Sequence, residues 1–403
     1  MFFKIAARNV LRNKRRTAFS LGVTALGVAI LYFVMGFITD SFESVKRNLT
    51  REIGAVQIAD ARLFDNKTER YEHLIPPQTL EQIVALLQDD PRVTGYTWTL
   101  SFAGLIGNEK GSTLVLGRGL IPGNPIEDYS RVVVDGRPLS NDGTPQILLG
   151  RRLAETLNVR PGEIINVATG TATGAFNAAS AQIVGTMRYN NIAQEGQIGI
   201  VNLEFAQRLL RTQGVERVIV QLQEIDQAEA FAQELREKLK AAGIPLDARP
   251  WQKLTTFYDS IRAFWSVFAA FTTMGVFVLV LFSVLEVLTM SFLERTREVG
   301  TIRAIGTTRA QVFRVFLTEG LILGLLGGAL GVAAGALLGA WVNSANILWL
   351  PPGAIDPVPV RIAVHLSVGV VPFLTALIST FLGTLYPAWK TARANIVEAL
   401  SYV

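Results

Sequence analysis

The sequence contains no cysteine and only two histidines, His73 and His365. Without cysteine the chain cannot form a disulfide framework, a thiolate nucleophile or a cysteine-based zinc site, and two isolated histidines are too few for a transition-metal site. Charged residues are also scarce, at 18% of 403 residues, whereas 50% are hydrophobic. With a mean hydropathy of +0.34, this composition excludes a soluble metalloenzyme, a disulfide-rich secreted protein and a cysteine hydrolase. It indicates a membrane protein.

The common signatures of enzymes are missing as well. The sequence has no G-x-x-x-x-G-K-S/T phosphate loop, no G-x-S-x-G elbow and no H-E-x-x-H zinc motif. Gly117, Arg118 and Gly119 supply only the first half of a dinucleotide fingerprint, and a β-turn is the better interpretation of them. We therefore expect a chain without catalytic, cofactor-binding or metal-binding residues of its own.

Four long apolar runs predict four transmembrane helices. The first, residues 17–39, has no charge over about 23 residues and would cover roughly 35 Å as a helix, more than the ~30 Å hydrocarbon core. No small-x-small cleavage site comes after it, so we expect a retained span rather than a cleaved signal peptide. The other spans are predicted at residues 262–292, 313–346 and 362–389.

The distribution of Lys and Arg predicts the orientation of these spans. Positive charges cluster before the first span, between the second and third, and after the fourth: Lys4, Arg8, Arg12, Lys14, Arg15, Arg16, Arg295, Arg297, Arg303, Arg309, Arg314, Lys390 and Arg393. The predicted cytoplasmic segments are therefore residues 1–16 as an amphipathic helix, 293–312 and 390–403. The predicted outer segments are residues 40–261 and 347–361. The stretch between the first two apolar runs contains 24 Lys and Arg and 27 Asp and Glu. No basic patch that could bind nucleic acid therefore remains.

The predicted outer domain, residues 40–261, is too long for a structureless loop and must fold. A strand, helix, strand order occurs twice, at residues 55–59, 77–88 and 93–105, and again at 217–222, 225–242 and 245–249. Two such βαβ halves predict a split, porter-like unit of ferredoxin type. The middle, about residues 126–203, predicts a mainly β insertion. The predicted fold class is an α-helical membrane protein with four transmembrane helices and a large α+β extracytoplasmic domain between helices 1 and 2.

The loop between the second and third spans has the pattern of a short amphipathic helix. It contains apolar residues at i, i+3 and i+6, a glycine stop, and a capping box for the next helix: Val299, Ile302, Ile305, Gly306, and Thr308 with Gln311. One interpretation is a passive helix that lies on the anionic inner leaflet through its arginines. The other, which we favour, is an apolar projection that inserts into the groove of a soluble partner.

The loop and the start of the next span contain a characteristic series of residues: Arg295, Glu298, Val299, Gly300, Thr301, Ile302, Arg303, Ala304, Ile305, Gly306, Thr307, Val312 and Glu319. The order resembles the coupling-helix region of FtsX/MacB-type (type VII) ABC permeases, and of the lipoprotein-releasing permeases among them. Residues 8–29, 149–167 and 386–400 resemble the opening, an outer-domain segment and the closing segment of that family. The departures are Thr301, Thr307 and Ile396, where the family usually has Ile, Ala and Pro.

The resemblance implies a permease subunit that converts ATP hydrolysis by a separate ATPase into movements of its periplasmic domain, which is called mechanotransmission. It implies two ATPase subunits that hold ATP and magnesium, and a second permease, identical or paralogous, in the bacterial cytoplasmic (inner) membrane. The residues implied in ATPase coupling are Glu298, Val299, Ile302, Arg303, Ile305 and Gly306.

The resemblance leaves the substrate open. Release of a lipoprotein, or handling of a lipid-like substrate, is the first expectation. The alternatives are adaptor-dependent efflux of the MacB kind and an FtsX-like activator of a cell-wall hydrolase that transports nothing. A lipoprotein, a periplasmic adaptor or a hydrolase as partner would distinguish these functions.

The third span is rich in glycine, and several of these glycines are four residues apart, such as Gly324 and Gly328, and Gly331 and Gly335. Small residues at this spacing form a helix face that another helix can approach closely in the bilayer. We therefore expect close helix packing at these glycines, within one permease or between two. The alternative is that glycine is simply frequent in membrane spans.

Overall fold

The computed structural model describes residues 14–65, 71–189, 192–254, 256–350 and 357–393. They form two compact units, one built from the four long helices and one, the outer domain, from Ser44–Asp259. The predicted amphipathic helix at residues 1–16 lies almost entirely outside the described residues. The same holds for the part of the predicted tail beyond residue 393.

Helix α1, Lys14–Ile53, is longer than the apolar run that predicts it. The run ends near residue 39, but the helix continues, and its residues from Ser44 onward belong to the outer domain. Charged residues such as Asp40 and Glu43 end the apolar stretch without interrupting the hydrogen bonds between residues i and i−4. The end of the apolar run is therefore not the end of the helix.

The outer domain mixes short helices and ten strands. They are, in chain order, β1 Val56–Ala59, α2 Ala61–Phe64, α3 Pro77–Gln88, β2 Val93–Asn108, β3 Gly111–Leu120, β4 Val133–Gly136, β5 Gln146–Gly150, α4 Arg151–Leu157, β6 Ile164–Gly170, β7 Phe176–Met187, α5 Ile192–Glu195, β8 Ile198–Asn202, α6 Leu203–Leu210, β9 Arg217–Leu222, α7 Ala228–Ala241, β10 Asp247–Pro250 and α8 Trp251–Leu254. Single 3₁₀ turns lie at Ser130–Val132 and Ile225–Gln227.

The first and last parts of this domain form one antiparallel sheet in the order β10-β1-β9-β2. Helix α3 connects β1 to β2, and helix α7 connects β9 to β10, so each half is a βαβ unit. Helix α7 buries Phe231, Leu235 and Leu239, which recur every four residues along one face. The predicted split βαβ unit is confirmed.

The insertion between the two halves is a small closed barrel. Its strands have the order β2-β3-β8-β5-β7-β6, and β6 pairs with β2 to complete the circuit. Strand β2 has 16 residues, so its first half pairs with β9 and its second half enters the barrel. Alternate residues of the barrel strands, including Phe102, Ile106, Val115 and Val167, fill the interior. The predicted mainly β insertion is confirmed, but the barrel begins before residue 126, since β3 and the second half of β2 belong to it.

Gly117, Arg118 and Gly119 lie inside strand β3, so the predicted β-turn is wrong. A Cβ atom on Gly117 would collide with the Phe102 ring, and glycine is needed there for packing rather than for a turn. Arg118 Nη2 lies 2.8 Å from Glu127 Oε1. Burial holds the pKa of the Glu127 carboxyl above its ordinary value, while Arg118 acts in the opposite direction.

The remaining elements are α9 Thr256–Glu294, α10 Thr296–Ala304, α11 Arg309–Ala345, β11 Leu348–Trp349, β12 Val358–Pro359, a 3₁₀ turn at Leu366–Gly369 and α12 Val370–Arg393. Among the described residues, four helices, α1, α9, α11 and α12, are long and apolar enough to cross a membrane. The predicted fold class, four spans with a large α+β domain between the first and second, is confirmed.

The fourth span begins later than residue 362, where the apolar run predicts its start. Residues 360–365 contain no helix, and Asn343 on α11 explains why the backbone tolerates this. The Asn343 side chain donates to the Ile362 carbonyl at 2.9 Å and accepts from the Ile362 N–H at 2.8 Å. The Ala363 N–H donates to the Gly36 carbonyl at 3.0 Å. Extended backbone in the unit of the four long helices needs such hydrogen-bond partners, because hydrocarbon offers none.

Helix α11 contacts two other spans through glycine. A Cβ atom on Gly331 would lie 2.5 Å from the Val28 Cβ, and one on Gly335 would lie 2.8 Å from the Tyr32 Cβ, both on α1. Gly324 and Gly328 face α12 in the same way, against Thr380 and Phe373. All four predicted packing glycines therefore lie at helix contacts within this chain.

Replacement of Gly331 by leucine should destabilise the membrane unit. The side chain has no room against α1, so the two helices must separate and lose contacts that hold them together in lipid. The matched control is Gly275→Leu on α9, since nothing lies within 4 Å of a Cβ there. We expect a lower thermal unfolding midpoint in detergent for Gly331→Leu and no change for Gly275→Leu. Equal midpoints would show that glycine at position 331 has no packing role.

Candidate coupling site

The segment between α9 and α11 is a short helix with defined ends. Helix α10 starts after the N-cap residue Arg295, and Gly306 ends the turn after it with a φ of +106°, a conformation that glycine adopts at little cost. The next helix opens with the predicted capping box. The Gln311 N–H donates to Thr308 Oγ1 at 3.3 Å, and the Thr308 N–H donates to Gln311 Oε1 at 2.9 Å. The glycine turn and the capping box therefore separate α10 from α11.

The three apolar residues predicted for docking, at the end of α10 and directly after it, do not share one surface. Val299 is 6% exposed, whereas Ile302 is 46% and Ile305 is 81% exposed. Each step of three residues falls about 60° short of a full turn, so the i, i+3, i+6 series drifts by about 120° around the helix. Its first member therefore faces the interior and its last member faces away. The assignment of Val299 to the docking surface is corrected accordingly.

Val299 belongs to the core that joins α10 to the spans. This cluster contains Val280, Val284 and Leu288 of α9, Val312, Phe316, Ile322 and Leu323 of α11, and Ala388 and Ala392 of α12. Gly300, beside Val299, is buried as well. The apolar face of α10 that carries Val299 is thus packed against its own chain. This packing fixes which side of the helix is buried.

A charged contact adds to this packing. Arg295 Nη1 lies 3.2 Å from Glu319 Oε1 and 3.4 Å from Oε2, and Arg295 Nε lies 3.3 Å from Glu298 Oε2. The guanidinium carbon lies 5.7 Å from the centre of the Phe316 ring. The side chains of Arg295 and Glu319 are only 12% and 5% exposed, whereas that of Glu298 is 47% exposed. Arg295 therefore joins the start of α10 to the interior of α11.

The other predicted coupling residues lie towards the exposed side. Arg303 is half-buried, and Gly306 is exposed, with nothing within 4 Å of a Cβ placed on it. Ile302 lies near the end of α10, and Ile305 and Gly306 lie in the turn that follows it. We call these three residues together the coupling tip. The structure brings these three residues together and places Glu298 and Val299 nearer the opposite end of the helix.

The Arg295–Glu319 pair escaped sequence analysis because its members are 24 positions apart. The available signal was a glutamate within the predicted third span, residues 313–346, since an ionisable group there demands a partner. Among the described residues, no group of three or more His, Asp or Glu side chains could hold a metal ion. The described part of the site thus offers contact surfaces and an ion pair.

Comparisons with known proteins match both parts of the chain. Residues 17–238 match the MacB-like periplasmic core domain, and residues 259–396 match the FtsX-like permease C-terminal family. The lipoprotein-releasing system transmembrane protein LolC of Xylella fastidiosa (strain 9a5c) is 26% identical over 425 residues, which cover 97% of each chain.

Two further relatives cover smaller parts of the chain. The pyoverdine export ATP-binding/permease protein PvdT of Pseudomonas syringae pv. tomato is 26% identical over 55% of this chain and 33% of its own length. The crystal structure of the periplasmic region of MacB from Actinobacillus actinomycetemcomitans covers 51% of this chain and 93% of its own, with 13% identity and a TM-score of 0.37.

Proposed function

This chain belongs to the FtsX/MacB-type family of ABC-transporter permeases, and we propose that α10 is the element through which a separate ATPase drives it. The protein is a non-catalytic, multi-pass membrane subunit with a periplasmic domain between its first and second spans. The proposed complex contains two ATPase subunits, which bind ATP and magnesium, and a second permease, identical or paralogous. We place it in the bacterial inner membrane.

The coupling tip carries this proposal. Ile302 and Ile305 expose large aliphatic side chains at the end of a two-turn helix, a shape suited to a hydrophobic groove on a protein partner. The tip lies at the far end of α10 from the Arg295 contact with Glu319. A partner that binds the tip would therefore act on a helix whose other end is held by the spans.

A passive helix on the lipid surface is the alternative interpretation of α10. Such a helix buries its apolar face among lipid acyl chains. Here the apolar face begins with Val299, which is already buried against α9, α11 and α12. The part that remains is a small tip rather than a continuous lipid-facing stripe. This arrangement supports docking to a protein over adhesion to the membrane.

We infer lipoprotein release as the specific function. The similarity to LolC extends over 97% of both chains, whereas the similarity to PvdT covers only 33% of that protein. Support for lipoprotein release therefore comes from the more complete match. Adaptor-dependent efflux and activation of a cell-wall hydrolase are the functions against which this inference is tested.

Ile302→Asp should abolish association with the ATPase. An unpaired carboxylate in an apolar groove should cost several kcal/mol of binding free energy, whereas loss of a rim charge in Arg303→Ala should cost about 1 kcal/mol or less. The measurement is the amount of ATPase recovered with each variant of the purified permease at matched expression, with Ile302→Leu as the conservative control. Full recovery with Ile302→Asp would favour the passive surface helix and contradict the docking role.

The substrate inference predicts what the intact complex carries. Permease and ATPase purified without nucleotide should retain a lipid-modified protein, detectable by mass spectrometry of the bound fraction. Addition of ATP and magnesium should reduce the amount retained, and ADP should not. A bound periplasmic adaptor without lipoprotein would favour efflux, and a bound cell-wall hydrolase would favour the regulatory role. Either result would contradict lipoprotein release while leaving the coupling proposal intact.

A further inference from the structure

We propose that the buried Arg295–Glu319 pair is the contact that makes α11 move with α10. On this account the pair is needed to pass movement into the spans and is not needed to bind the ATPase. The inference rests on the proposed function, because it concerns the movement that a docked ATPase would cause in α10. Both residues are positioning residues, since neither is expected to touch nucleotide or substrate.

Among the described residues, three connections between helices α10 and α11 bear on this transmission. The covalent connection runs through Gly306, which has a φ of +106° and open space around it, and a glycine in such a turn gives little resistance to bending. The second connection is the apolar contact of Val299 with its cluster, which is non-directional. The third is the ion pair, which is directional because guanidinium and carboxylate meet in a fixed planar geometry. Of these three, the ion pair fixes the orientation of one helix relative to the other.

The positions of the two residues determine where along α11 this contact acts. Arg295 is the N-cap residue of α10, at the end opposite the coupling tip. Glu319 lies ten residues after the start of α11 at Arg309, which corresponds to roughly 15 Å along the helix axis. A displacement of the tip therefore reaches α11 at Glu319, roughly 15 Å from the start of the helix, through the ion pair, and only at its first residues through the loop.

The surroundings hold the guanidinium on several sides. Glu298, one turn along α10, lies 3.3 Å from Arg295 Nε, and the Phe316 ring on α11 lies beside the guanidinium. Glu319 is 5% exposed at its side chain, so its carboxylate has little access to water. A buried pair of this kind adds little net stability, but it strongly disfavours arrangements in which the charges separate. Its effect is to restrict α10 and α11 to one relative position.

A purely structural role for the pair makes different predictions. If the pair only stabilised the fold, its loss would lower assembly, and any change that restored assembly would restore function. If the pair positions α10, a variant that assembles normally can still fail to move α11. The variant Arg295→Gln/Glu319→Gln separates these cases, because it removes both charges of the pair together and leaves neither member buried as a lone charge.

The test uses the full-length permease bound to its ATPase. The chain has no cysteine, so spin labels can be attached at introduced cysteines, at position 301 on α10 and position 310 on α11, both exposed in the structure. Electron paramagnetic resonance then gives the distance between the helices in the nucleotide-free state and in the state trapped with ADP and vanadate. The variants are Glu319→Gln and the double glutamine variant. The control is Arg314→Gln, which removes an exposed positive charge from α11.

For the unaltered pair and for Arg314→Gln we expect the same distance in both states, because α10 and α11 move together. For the double variant, and for Glu319→Gln if it assembles, we expect ATPase recovery within about twofold of the parent and a distance that shifts with nucleotide. An unshifted distance in the double variant would overturn the proposal, as would loss of ATPase binding in that variant. Failure of the parent permease to bind the ATPase would instead refute the proposed function.

Discussion

The close approach of α11 to α1 and α12 is the constraint on which the membrane unit depends. Lipid tails are as apolar as leucine, so helices in hydrocarbon are not driven together by the hydrophobic effect and must gain contacts by packing closely. Glycines on α11 allow this approach on two sides, at Gly331 towards α1 and at Gly324 towards α12. On the α12 side, the Thr380 and Thr384 hydroxyls donate to backbone carbonyls one turn earlier. No polar group of these two threonines is left unpaired in the contact.

The position of α10 depends on that of α11. The capping box at Thr308 fixes where α11 begins, Val299 packs among residues of three spans, and Arg295 reaches Glu319 inside α11. The Val299 and Arg295 contacts lie on the packed side of α10 and leave Ile302 and Ile305 on the exposed side. A two-turn helix thus acquires one end held by its own chain and one end available to a partner. That division of roles is the physical basis of the proposed coupling.

Sequence patterns predicted those features that depend on local chemistry. Uninterrupted apolar runs located the spans, the Thr308 and Gln311 pair located the start of α11, and the repeated strand, helix, strand order located the two βαβ halves. Features that depend on distant residues were missed. The chain before α12 stays extended because Asn343 binds the Ile362 backbone.

The errors at the candidate site and at Gly117 have the same origin, namely contacts between residues that are distant in sequence. Val299 fits a stripe in sequence, but its burial depends on how α10 lies against other helices. The Arg295–Glu319 contact joins residues 24 positions apart, and no periodicity reports it. Gly117 looked like a turn residue, yet its role is to leave room for Phe102, which lies on the neighbouring strand.

Photo-crosslinking in cells tests the central claim most directly, because it reports which residues of α10 touch the ATPase. A benzophenone amino acid would replace Ile305 in one variant and Val299 in the other. If α10 is held through its inner face and docks through its tip, position 305 crosslinks to the ATPase and position 299 crosslinks only within the permease. The account would be contradicted if position 305 crosslinked to lipid alone, or if position 299 crosslinked to the ATPase.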